Sequence, residues 1–176
     1  MEIKESQPVA SGVPILHIAL VEPEIAPNTG NIARLCAATA VRLHLIGRLG
    51  FHLDDRSLRR AGCDYWPHVD VHLHVDWHHF CKAMPLSRRI GIEANVGRCY
   101  SDWTYRAGDV LVFGSESKGL PISVQQECAA LLHVPMPTGL VRSLNLATTA
   151  GIVMFEALKQ ICQWPTPANS PNSTSR

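Results

Sequence analysis

The chain predicts an α/β domain built on a mainly parallel sheet, with helices on both faces. Short aliphatic and β-branched runs such as ILHIALV (15–21), RLHLIG (42–47) and DVLVFG (109–114) alternate with segments of helical character. That alternation calls for crossover connections, hence parallel pairing. The loops EPEIAPNTGN, GSESKGLP and PMPTGLVRSLN, each following such a run, are all polar. In parallel sheets ligands sit beyond the carboxyl ends of the strands, so these loops are expected to converge on one site.

Residues 1–13 read as a loose leader, 14–163 as the domain and 164–176 as a low-complexity tail. ILHIALV is the first strand. A helix follows from Asn28 or Thr29, either of which suits an N-cap, to Ala40. Arg42–Gly47 is the second strand, and LDDRSLRRAG a short basic helix with an Asp cap and a Gly stop. Val69–His74 is the third strand, followed by a short helix in DWHHFCKAM. Arg88–Ala94 and Asp109–Gly114 are the fourth and fifth strands, separated by a loop with one helical turn. PISVQQECAA starts a helix on its proline. LLHVP is the sixth strand, and the final helix runs from Ser143 to Gln163.

The stretch Val134–Leu158 organises the rest. Its Pro/Gly loop delivers Arg142, Ser143 and Asn145 to the start of a helix whose first turns carry almost no charge. A helix apolar nearly all round is expected to be buried. Its polar residues gather at the N-terminus, where free N–H groups favour electron-rich ligands. Ser143 or Asn145 as a plain N-cap would explain either residue alone; Arg, Ser and Asn together point to the wall of a ligand site.

With 176 residues, 46% apolar and 18% charged, the chain can bury a full core as one domain. A net charge of +1 gives no global field for a polyanion. Six of its 16 Lys and Arg residues nevertheless fall between Arg34 and Arg60, as a solvated helix face or a phosphate-binding patch. The six scattered cysteines form no CxxC pair and are expected to be reduced thiols. No secretory leader or membrane-spanning run is read, so a cytoplasmic protein is expected.

Several ligand chemistries drop out. There is no GxGxxG after the first strand, GSESKG is followed by Leu-Pro where a phosphate loop needs Lys and Ser/Thr, and no GxSxG elbow occurs. The histidines His68, His72, His74, His78 and His79 lack a metal-ligand pattern, so no metal is expected; half-exposed strand and helix positions account for them.

Taken together, VEPEIAPNTGNIARLCAATAVRLHLIGRLGF, LVFGSESKGLP and VPMPTGLVRSLNLATTAGIVMFEAL closely resemble the three signature motifs of the SPOUT methyltransferases, in particular the small TrmL type. The resemblance spans about residues 15–163. It implies a C-terminal trefoil knot and a homodimer formed through the knot region. It also implies an S-adenosylmethionine cofactor held mainly by backbone groups, at Ile92, Gly114, Val134 and Ser143 and also Met136. The implied reaction is 2′-O-methylation of the wobble nucleotide of tRNA, cytidine or uridine 34, with leucine tRNAs as substrates. Matching catalytic positions are Arg34, Asn28, Glu116, Ser143 and Asn145. Glu116 either orients Asn28 or Arg34 or solvates its loop, and Asn145 can also act only as a cap. Arg34 suits phosphate binding and alkoxide stabilisation better than proton abstraction, because guanidinium stays protonated. Arg142 is expected to reach RNA or brace its loop and Lys118 to contact a phosphate, while Arg59 and Arg60 either meet the tRNA backbone or stay on a plain solvated helix. The same chemistry on another RNA, or a non-catalytic RNA-binding module, are the alternatives. The third loop is about one residue longer than the pattern it resembles.

Overall fold

The computed structural model describes residues 14–53 and 66–162. Its elements are β1 (His17–Val21), α1 (Ala26–Thr39), β2 (Arg42–Ile46), β3 (Val71–His74), α2 (Trp77–Ala83), β4 (Arg89–Ile92), β5 (Arg98–Cys99), β6 (Val110–Phe113), α3 (Ile122–Gln126), β7 (Ala130–His133) and α4 (Leu146–Ile161). Seven strands make one sheet in the order β3-β2-β1-β6-β4-β7-β5. Every pairing is parallel, with His17 opposite both Arg42 and Val110 and Ile90 opposite both Leu111 and Ala130. The expected α/β architecture is therefore observed.

Strands covered on both faces read as continuous apolar runs, and β1 and β6 are buried at every position. Successive side chains alternate between two cores. Leu16, Ile18, Leu20, Leu111 and Phe113 face α1 and α4, meeting Ile32, Cys36, Ala150, Val153 and Met154. Ala19, Val21, Val110 and Val112 face the opposite way, onto Phe80, Leu120 and Val124 of the α2–α3 side.

The structure departs from the sequence reading at several element ends. Asn28 and Thr29 do not cap α1. The helix starts at Ala26 after Ile25, with Pro27 in its first turn, where a missing N–H costs nothing. Both residues are buried inside the helix instead. Pro121 is the N-cap of α3 and not part of its first turn. The segment expected to hold one helical turn contains β5 and a 3-10 turn, Tyr100–Asp102. A two-residue strand offers no periodicity to read, so the sheet gains a seventh strand at the β7 edge. The last helix begins at Leu146, not Ser143, because Asn145 takes the capping position. It is also not buried all round: Phe155 keeps 39% of its surface and Ile152 is half-buried, since only one face packs on α1 and the sheet. The basic helix expected around Arg56–Arg60, with Arg59 and Arg60, lies outside the described residues, as do the leader and tail.

Candidate active site

The three polar loops do converge. Beyond the carboxyl ends of β4, β6 and β7 lies a cavity of about 350 Å³, where Ile92, Phe113, Val134, Met136, Leu144 and Leu146 supply an apolar slot. Asn28, Glu93, Glu116, Lys118, Arg142, Ser143 and Asn145 supply its polar groups. This is where an open parallel sheet places ligands.

The loop after β6 is shaped by glycines. A Cβ on Gly114 would fall 2.0 Å from the Gly119 carbonyl carbon, so only glycine allows that close approach. Gly119 itself has φ +70, and the Glu93 carboxylate lies against it. Glu93 accepts from the Leu120 N–H at 2.7 Å and from the Ala94 N–H at 3.1 Å, tying the end of β4 to the β6 loop.

A second set of hydrogen bonds joins all three loops. Asn28 Nδ2 donates to Glu116 Oε1 at 2.9 Å, and Asn145 Nδ2 donates to Asn28 Oδ1 at 2.9 Å. Asn145 Oδ1 then accepts from the Ala147 and Thr148 N–H groups at 2.9 and 3.3 Å, capping α4. The direction of this chain is forced from both ends. A carboxylate can only accept and helix N–H groups can only donate, so each asparagine amide between them has one permitted orientation. Glu116 thus meets Asn28, one of the partners that the sequence left open, and Asn145 both caps α4 and lines the cavity.

Glu116 is held in turn. Its Oε2 accepts from the Glu24 N–H at 2.8 Å. The Glu24 carboxylate accepts from the Ser117 hydroxyl at 2.7 Å and the Ser117 N–H at 3.0 Å. These bonds, the hydroxyl first, hold the Glu24 carboxyl below its usual range. Glu24, Glu93 and Ser117 escaped the sequence reading; an acid beside the Pro-started α1 was the available signal for Glu24.

Of the expected cofactor positions, Ile92, Gly114, Val134 and Ser143 all line the cavity, with Met136. So do Asn28, Glu116, Asn145, Arg142 and Lys118. Arg142 also offers its carbonyl to Asn95 Nδ2 at 3.2 Å, which braces the third loop. Arg34 does not line the cavity; it is exposed on α1, one turn past Asn31.

Of the five histidines read as half-exposed, His68, His72, His78 and His79 are exposed and His74 departs from the expectation. His74 is buried, and it joins His17, His44 and His79 in a hydrogen-bonded string. The nitrogens are 3.1 Å apart between His17 and His44, 2.9 Å between His44 and His74, and 3.3 Å between His74 and His79. Phe80 packs edge-on against His44 and His74 at 5.2 Å. Among the described residues no group of His, Cys, Asp or Glu is placed to hold a metal ion, and no helix is long and apolar enough to cross a membrane. The described cysteines are free thiols, and burial pushes Cys36 up to about 12.

Known proteins place this geometry. A tRNA (cytidine(34)-2′-O)-methyltransferase of Escherichia coli (strain K12) is 42% identical over 149 residues, covering 84% of this chain and 94% of the relative. One of the same name from Methylovorus glucosotrophus is 40% identical over 147 residues, covering 83% and 96%. A structure described as giving insight into the 2-OH methylation of C/U34 on tRNA superposes with a TM-score of 0.78 at 46% identity, covering 82% of this chain and 95% of that one. The more distant SpoU methyltransferase AviRb of Streptomyces viridochromogenes, solved with the cofactor AdoMet, shares the fold with a TM-score of 0.76 at 19% identity, covering 85% of this chain and 62% of its own. Residues 15–155 match the SpoU rRNA Methylase family, and the chain belongs to it.

Proposed function

We propose that this protein is an S-adenosylmethionine-dependent methyltransferase acting on the 2′-hydroxyl of the tRNA wobble nucleotide, cytidine or uridine 34, with leucine tRNAs as substrates. The observation that carries the proposal is the oriented chain Glu116–Asn28–Asn145 on the wall of the cavity. Relatives of 40–42% identity, named for this reaction, support it.

The cavity fits the cofactor chemically. Its apolar slot suits an adenine ring, Gly114 lets backbone approach closely, and the Glu93 and Glu116 carboxylates suit a ligand carrying sulfonium and ammonium charge. Ile92, Gly114, Val134 and Ser143 would hold it, with Met136. When bound, the cofactor supplies an electrophilic methyl group. That chemistry would methylate the 2′-oxygen, with the hydroxyl proton passing to solvent or an adjacent base. Positioning supplies much of the rate. Asn28 and Asn145, locked in orientation, present N–H donors at the site, and Ser143 stands beside them at the junction of cofactor and ribose.

Arg34 binds the neighbouring phosphate and stabilises the developing alkoxide. Because it lies away from its own chain's cavity, it serves the cavity of a second copy in a homodimer formed through the knotted third loop and α4. Arg142 and Lys118 hold the RNA backbone, with Arg59 and Arg60 extending the contact.

Transfer of labelled methyl from S-adenosylmethionine to leucine tRNA, mapped to position 34, tests the reading, with ribosomal RNA as a parallel substrate. Arg34→Ala is expected to abolish transfer while cofactor binding persists. An unmodified position 34, or full activity in Arg34→Ala, refutes the corresponding part.

A further inference from the structure

Glu24 has no place in the roles above, yet it makes three hydrogen bonds to the loop after β6. Its N–H holds Glu116 Oε2 at 2.8 Å, and its carboxylate grips Ser117 twice, at 2.7 and 3.0 Å. Behind it, a Cβ on Gly50 would fall 2.6 Å from the Glu24 carbonyl oxygen, and the Gly50 N–H donates to the Pro23 carbonyl at 2.9 Å. Glu24 is thus wedged between the loop after β2 and the loop after β6.

We propose that Glu24 is a positioning residue for methyl transfer, a latch that sets the β6 loop so that Glu116 meets Asn28 in one orientation. The inference rests on the methyltransferase reading for its activity arm. Its physical basis does not. Glu116 presents one oxygen to the Glu24 N–H and the other to Asn28, so the carboxylate plane is fixed by the backbone of residue 24. The Glu24 side chain fixes that backbone by holding Ser117, the next residue along from Glu116. Releasing the side chain frees the loop to shift, and Glu116 moves with it. Asn28 Nδ2 then loses its acceptor, and the amide is held only by the bond from Asn145 Nδ2 to its Oδ1. Lys118 adjoins the latch and strengthens the carboxylate's charge by attraction.

The chemistry of the grip defines the conservative replacement. Glutamine at residue 24 can still accept from the Ser117 N–H through its oxygen and donate to the Ser117 hydroxyl through its nitrogen, because a hydroxyl both gives and takes. Alanine retains the Glu24 N–H but neither side-chain bond.

Four variants of the full chain, Glu24→Ala, Glu24→Gln, Ser117→Ala and the double Glu24→Ala with Ser117→Ala, test the latch by kinetics and by hydrogen exchange of the 115–119 amides without substrate. Glu24→Ala is expected to lower kcat by roughly tenfold to a hundredfold, the scale of misplacement in a positioned reaction, with little change in the KM for tRNA. Glu24→Gln is expected to recover most of that loss, and Ser117→Ala combined with Glu24→Ala to add little to it. Amide exchange over 115–119 should rise in Glu24→Ala at an unchanged melting temperature. Unchanged exchange and kcat in Glu24→Ala, or losses that multiply in the double variant, overturn the proposal. If the wild-type protein transfers no methyl to tRNA, the function fails, while the exchange result still decides the latch.

Discussion

Lowering the pH from about 7 to about 5 is expected to weaken the fold through two imidazoles, at a point where most carboxylates are still charged. Burial, more than any neighbour, holds His17 at about 4 and His44 at about 3. Arg42 and the adjacent rings push the same way, and Asp70 opposes them at His17. In the unfolded chain both rings take up a proton near the ordinary value of about 6.5. Between that value and 4 the unfolded state binds more protons than the folded one, so stability falls as pH drops. Each proton withheld is worth about 1.36 kcal/mol per pH unit, so each ring removes about 2 kcal/mol by pH 5, and the two about 4. Against a total of about 5–15 kcal/mol that is a large share. Urea unfolding at the two pH values measures it. His44→Gln keeps a donor and an acceptor but cannot titrate, and should remove about half of the pH dependence. An unfolding midpoint that is flat between pH 7 and 5, or an undiminished slope in His44→Gln, would refute the account.

Other variants probe the site and its frame. Asn28→Asp sets a second carboxylate against Glu116 in place of a 2.9 Å hydrogen bond, and transfer should drop by roughly a hundredfold with a smaller loss at pH 5 than at pH 8. Gly114→Ala drives a methyl group into the Gly119 backbone, so cofactor binding measured by calorimetry should vanish even where circular dichroism stays native. Asp109, 1% exposed, takes both Arg88 Nε at 2.8 Å and Arg88 Nη2 at 2.7 Å; Asp109→Ala should cost about 3 kcal/mol by denaturant titration.

The frame of this fold was legible because its strands are buried on both faces. ILHIALV and DVLVFG have no polar alternation to confuse, and each became a strand within one or two residues of its expected ends. The convergence of three loops was legible for a related reason: polar residues cluster where a parallel sheet opens. What escaped was whatever depends on long-range partners. Asn28 looked like a cap because it stands near a helix start; its actual partners lie 88 and 117 residues away. Glu93 carries no local signature at all and Glu24 only its place just before α1, since backbone N–H groups from another loop are what they bind. His17 and His44 were not singled out in the sequence, and only strand order brings them beside His74. The even spread of apolarity along α4 hid which face would stay open, and Phe155 shows it.

The histidine string has a property that belongs to none of its rings singly. Each junction between neighbours needs one proton, supplied from one side or the other. With every ring neutral the protons can all point from His17 toward His79, or all the reverse way. The two arrangements differ outwardly only in which terminal ring, His17 or His79, carries hydrogen on its outer nitrogen. One added proton breaks nothing: the ring that holds it donates in both directions, and both outer nitrogens then carry hydrogen. A second added proton has no such solution, because at some junction two N–H groups must face each other across about 3 Å. The line therefore counts protons, admitting none or one and resisting two, and it does so across β1, β2 and β3, on the sheet face turned toward Phe80 and away from α1 and α4.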